Sequence, residues 1–197
     1  MKMTTSVLVT ALSVIVMGQA YANNSTTSIS KAANVQLFKE HDALLQRNFN
    51  GSSVQFSLIA PRLEFDLAAG AAYAEGQLAD LKYESAELAV RYSFINQDKL
   101  QLFAETRFNH TNYAGALQHS YNQYGAGFFG RNYWGEKLQV GVRLGYMGAS
   151  SAAPEQQKGV YTEASLNYPL SNDLEMYLQW STIGKRERTG LGVRYSF

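Results

Sequence analysis

Apolar and polar residues alternate with a period of two through most of the chain. In 136–148, Leu138, Val140, Val142, Leu144 and Tyr146 share one face, against Gln139, Gly141, Arg143 and Gly145 on the other. Segment 98–112 repeats the split, with Leu100, Leu102, Ala104, Thr106 and Phe108 opposed by Gln101, Phe103, Glu105, Arg107 and Asn109. In 173–184, Leu174, Met176, Leu178 and Trp180 oppose Glu175, Tyr177, Gln179 and Ser181. Successive side chains of a strand point to opposite sides, so each segment predicts a strand with one apolar and one polar face. The same beat predicts eight strands, at 62–75, 80–95, 98–112, 120–134, 136–148, 158–170, 173–184 and 188–197. The connections Asn96-Gln97-Asp98, Trp134-Gly135-Glu136 and Ser171-Asn172-Asp173 are tight, whereas 113–119 and 149–157 are longer. Short turns at one end and longer loops at the other are how bacterial outer-membrane barrels are built.

Upstream the strand count is open between eight and ten. Ser53 to Ile59 also alternates, with Val54, Phe56 and Leu58 on one face, and the tight Ala60-Pro61 joins it to 62–75. That makes nine, and single-chain bacterial barrels are even-numbered. Asn50-Gly51 is a hairpin signal that would pair this segment with a strand before it. Residues 34–39 are a second candidate, although Leu37, Phe38, His41, Leu44, Leu45 and Phe49 also form a helical stripe. The preferred reading is an all-β, antiparallel up-and-down transmembrane barrel of ten strands over 51–197 and part of 23–50. Residues 23–32 read as a polar lead-in.

Charge decides which face points inward. A soluble barrel would turn its polar face to water. On the polar faces the acids are Glu64, Asp66, Glu87, Glu105, Glu163 and Glu175, and the cations are Arg91, Arg107, Arg131, Arg143 and Arg194. Every cation there is arginine, while Lys82, Lys99, Lys137, Lys158 and Lys185 sit in turns, loops or strand ends. An enclosed polar lumen favours the planar guanidinium, which pairs carboxylates bidentately. The polar face is therefore expected inside, as an ion-pair network, and hairpin parity sets either Glu87 opposite Arg107 or Arg91 opposite Glu105.

Composition agrees with an exported strand protein. The chain has thirteen Tyr, ten Phe and sixteen Gly but only three Pro. Lys2, the apolar run Val7 to Met17 and Ala20-Tyr21-Ala22 read as a secretory leader over 1–22, too short to span a bilayer as a helix. Without Lys2, 16 basic residues balance 16 acidic ones, which argues against nucleic acid as a partner. The chain has no cysteine, so no disulfide framework is possible.

The segment Gly192-Val193-Arg194-Tyr195-Ser196-Phe197 resembles the C-terminal assembly signal of Gram-negative outer-membrane proteins, with Gly190 standing where a polar residue is usual. Small barrels of the OmpA/OmpX-like or YfaZ-like kind are the suggested relatives. The resemblance implies an outer-membrane location and recognition by the barrel-assembly machinery, with Gly192, Tyr195 and Phe197 as the signal residues.

Candidate chemistry is sparse. Of His41, His110 and His119, only His119-Ser120 is a suggestive pair, and adjacent strand residues face opposite ways. No catalytic residue, metal site or cofactor is assigned. Lys185-Arg186-Glu187-Arg188 places three cations in a turn expected outside, so Lys185, Arg186 and Arg188 are candidate contacts for lipopolysaccharide phosphates, beside membrane lipid. The expected function is a non-enzymatic envelope-structural or interaction role. A narrow small-solute channel is the alternative, and a lipid-A-modifying enzyme the second alternative.

Overall fold

The computed structural model describes residues 29–76, 80–97, 99–115, 118–135, 137–150 and 158–197. Ten strands run in chain order: β1 Ser30–Asp42, β2 Arg47–Ile59, β3 Leu63–Ala74, β4 Lys82–Asn96, β5 Leu100–Ala114, β6 His119–Trp134, β7 Leu138–Ala149, β8 Gly159–Pro169, β9 Leu174–Ile183 and β10 Arg186–Ser196. Each pairs antiparallel with its sequence neighbours, and β1 pairs with β10, so the sheet closes into a barrel with no free edge. The expected leader 1–22 and residues 23–28 lie outside the described residues, as do parts of the expected loops 76–80, 113–119 and 149–157.

The eight strands expected from 62 onward are all present, and the count is ten. The barrel begins at Ser30 rather than 51, and the region 23–50 contributes β1 and the start of β2. Asn50-Gly51 does not turn the chain; both residues lie inside β2, with Gly51 opposite Phe38 and Ala72. A Cβ at Gly51 would lie 2.4 Å from Phe38 Cζ, so this glycine admits a ring against the backbone. The actual turn is 43–46. There Asp42 Oδ1 accepts from the backbone N–H of Leu44 (3.0 Å) and Leu45 (3.1 Å), and Gln46 takes a positive φ of 49°. The stripe that also fitted a helix is divided by strand alternation, with Phe38 and Phe49 buried inside and Leu37 exposed outside.

The alternation of inward and outward residues holds around the circumference apart from a bulge between Ser93 and Ile95 in β4. Leu67, Leu88, Val142, Leu144, Leu178 and Leu191 form an exposed aliphatic belt outside. Tyr92, Phe94, Trp134, Tyr168 and Tyr195 border it toward the short-turn end, and Tyr73, Tyr124 and Tyr146 toward the long-loop end. An apolar band between two aromatic girdles is the outer surface of a membrane barrel. The interior carries the charge: Glu64, Asp66, Arg91, Glu105, Arg143 and Glu163 are all buried.

Candidate functional site: the lumen

The middle of the lumen is organised by one carboxylate. Glu105 on β5, whose side chain is 0% exposed, accepts from Arg91 Nε at 2.6 Å and the Tyr161 hydroxyl at 2.9 Å, and forms ion pairs with Arg143 Nε at 3.2 Å and Arg107 Nε at 3.8 Å. Each arginine has a further acid. Arg91 also pairs with Asp66 and with Glu64 (3.2 Å), Arg143 with Glu163 (2.5 Å) and Arg107 with Glu87. Arg131 reaches Glu64 at 2.5 Å from β6, so that ion pair joins strands that are not neighbours in the sheet. Phe129 lies beneath the guanidinium groups of Arg91, Arg131 and Arg143, at 5.2, 5.3 and 4.9 Å from its ring centre. A flat ring under a planar cation adds attraction without needing a hydrogen-bond partner of its own.

Of the two registers that parity allowed, the structure has the second. In the β4–β5 register Arg91 is directly opposite Glu105, and Glu87 is opposite Asn109. Arg107, one position pair away, still bonds Glu87 because a long side chain reaches a diagonal neighbour. Glu175 and Arg194 are cross-strand partners on the lumen face of β9 and β10. They form no ion pair with each other; Glu175 Oε2 and Arg194 Nε are buried without a hydrogen-bond partner among the described residues.

A second cluster sits under the long-loop end. Glu40 on β1 accepts from Arg186 (Nε, 3.0 Å), from Arg188 (Nε, 3.0 Å; Nη2, 2.8 Å) and from the Tyr83 hydroxyl (2.9 Å). Arg186 also donates to the Tyr121 hydroxyl at 3.1 Å and lies 3.8 Å from Asp42. Phe38, Phe49, Leu81, Tyr83, Tyr113 and Tyr121 pack together beside these charges. This placement corrects the lipopolysaccharide reading of Arg186 and Arg188. They share the even-numbered, inward face of β10 with Gly190, Gly192 and Arg194, and both guanidiniums are bound to Glu40 inside the barrel. Of the three cations, only Lys185 lies in the turn itself.

Glu40 and Asp42 were absent from the sequence-derived network because their strand was ambiguous. The signal was present in Lys39-Glu40-His41-Asp42, whose members alternate exposed and buried. His41 and His110 are exposed partners of Asn48 (2.8 Å) and Asn122 (2.7 Å), and the His119 ring stacks on Tyr121. Among the described residues no three His, Asp or Glu side chains gather as a metal site. At the closing seam, Phe197 exchanges backbone hydrogen bonds with Lys31 (2.8 and 3.2 Å), and its ring lies beside Tyr195 and Phe56. Gly192 faces inward beneath the Tyr177 ring.

The lumen retains a cavity of about 190 Å³ whose lining runs through both charged clusters and includes Gln36, Ser53, Tyr177, Gln179 and Ser181.

No family model matches the chain, and no curated protein sequence matches it. Solved structures do. The β domain of the Bordetella autotransporter BrkA aligns with a TM-score of 0.52 at 9% identity, covering 86% of this chain and 99% of that one. The translocator domain of the autotransporter NalP from Neisseria meningitidis aligns with a TM-score of 0.51 at 12% identity, covering 98% of each chain. Neisserial surface protein A aligns with a TM-score of 0.46 at 10% identity, covering 88% of this chain and all of that one. At these identities the likeness is one of architecture, and the chain has the fold of a bacterial outer-membrane β-barrel.

Proposed function

We propose that this protein is a non-enzymatic, plugged barrel of the Gram-negative outer membrane with a structural role in the envelope, exported by way of a cleaved leader at 1–22. The observation that carries this reading is the set of contacts that cross the lumen between non-neighbouring strands: Glu64 on β3 to Arg131 on β6, Tyr161 on β8 to Glu105 on β5, and Tyr83 on β4 to Glu40 on β1. A diffusion pore needs an open axis, and small barrels are filled by their own side chains. Planar-bilayer recording tests it directly. The purified barrel is expected to give no resolved conductance steps, and steady single-channel currents would replace this reading with the narrow-channel one. That second reading is favoured by the cavity, which runs beside the plug from Arg188 toward Arg194.

Assembly follows from the C-terminal strand. Tyr195 and Phe197 present aromatic side chains beside the seam with β1, where they suit recognition by the barrel-assembly machinery. Deleting Phe197 is expected to leave secretion intact and reduce the heat-modifiable folded band on a gel. An unchanged band would remove Phe197 from the signal.

A further inference from the structure

The lumen is filled unevenly. Strands β3 to β8 carry Arg91, Arg107, Arg131 and Arg143 with their carboxylates and Phe129, whereas the wall formed by β1, β2, β9 and β10 presents neutral amides and hydroxyls at mid-height, between Arg186 and Arg188 at one end and Arg194 at the other. Two glycines keep that wall low. A Cβ at Gly190 would lie 2.0 Å from Gln36 Nε2, and one at Gly192 would lie 2.7 Å from Tyr177 Cε1. The glycines therefore let the Gln36 amide and the Tyr177 ring lie flat across β10 instead of projecting toward the axis. Gln36, 6% exposed, donates to Gln179 Oε1 at 2.8 Å and accepts from Ser53 Oγ at 3.3 Å. Glycine inside a strand weakens it, so two on one lumen face oppose the stability of a barrel that could have been packed solid.

The cavity so preserved, about 190 Å³, has room for about six waters at about 30 Å³ each. Its lining includes buried groups of both polarities that lack a hydrogen-bond partner among the described residues: Asn34 Oδ1 as an acceptor, and the Nε–H groups of Arg107, Arg131 and Arg194 as donors. An occupant that meets both kinds must donate and accept, and a hydroxyl does both. A net charge is disfavoured beside Gln36, Ser53 and Gln179, because an ion there would be buried against neutral groups. The Tyr177 ring supplies a flat apolar face for the C–H edge of a ring-shaped occupant.

We propose that this cavity is a binding site for one neutral polyhydroxyl molecule of monosaccharide size. The site stands whether or not the barrel conducts, and its test reads binding rather than current. The folded barrel, in micelles of a detergent without a sugar head group, is titrated with D-glucose and glycerol as neutral probes. D-Glucuronate and D-glucosamine serve as anionic and cationic versions of the same ring. The side-chain amide signals of Gln36 and Gln179 are followed by NMR. The expected result is saturable shifts with D-glucose, and binding about tenfold weaker or absent with the charged rings. Ser53→Met, which fills the cavity, is expected to abolish the shifts, and Gln179→Ala to weaken binding about tenfold, as read on Gln36; that is the loss of about one hydrogen bond. Val142→Leu on the outer face is expected to leave binding unchanged. If Ser53→Met gives no folded band, Gln179→Ala decides. Linear, non-saturating shifts with both neutral probes mean that the cavity holds water alone and overturn the proposal. Equal binding of the charged rings, or an unaltered response in Gln179→Ala, overturns it as well.

Discussion

The two ion clusters of the lumen use the same residue types with different redundancy. In the middle of the barrel Glu105 is shared by three arginines, and Arg91, Arg107 and Arg143 each hold another acid as well. Under the long-loop end Glu40 serves two arginines, and for Arg188 it is the one carboxylate within 4.0 Å among the described residues. The hydroxyls of Tyr83 and Tyr121 complete that site, and Phe38, Phe49 and Tyr113 surround it. A charge with several partners loses part of its stabilisation when one is removed. A charge with one partner is left buried and uncompensated. The first arrangement makes a wide plug that tolerates local change, whereas the second makes a single latch that joins β1, β4, β6 and β10.

That contrast sets an order of effects. Glu40→Gln is expected to be the most damaging, at about 3–5 kcal/mol, because it leaves Arg188 without a carboxylate and Arg186 with Asp42 alone, at 3.8 Å. The measurement is the midpoint of denaturant unfolding in lipid vesicles, followed by tyrosine fluorescence. Glu105→Gln is expected to cost less, about 1–3 kcal/mol, since the amide oxygen still accepts from Tyr161 and each arginine keeps a second acid. If the two substitutions shift the midpoint equally, redundancy is not what distinguishes the clusters. The smallest effect is expected at the rim of the central cluster, where Glu87 retains 30% side-chain exposure. There Glu87→Gln and Arg107→Gln, with the double variant, are expected to show a coupling of about 0.5–1.5 kcal/mol. Strict additivity in that cycle would mean that Arg107 is held by Glu105 rather than by Glu87.

The neutral wall offers a second contrast with the charged one. Gly190 and Gly192 are needed there for the close approach of Gln36 and Tyr177, just as Gly51 admits Phe38 on β2. Asn50-Gly51 carries the composition of a hairpin turn and lies in mid-strand, because closing β1 against β2 brings the Phe38 ring onto that backbone. A dipeptide signal records which conformations a residue can adopt, and the packing around it selects one.

What the sequence by itself determined is the side of the wall on which each residue lies. Period two is a local property of extended backbone, so Val142 outside and Arg143 inside follow without knowledge of any partner. The lumen positions Glu64, Asp66, Glu87, Glu105, Glu163 and Arg194 were legible for the same reason. What only the tertiary structure decided is who meets whom. Glu40 lies 146 residues from Arg186 in the chain, and they become neighbours because β1 closes on β10 in a particular register. The same register turned Arg186 and Arg188 from a basic surface turn into the inner face of a strand, since moving the turn to Gly184 and Lys185 placed both in β10. Contacts across a closed lumen depend on register and side-chain reach summed over ten strands, and no local window of sequence contains either.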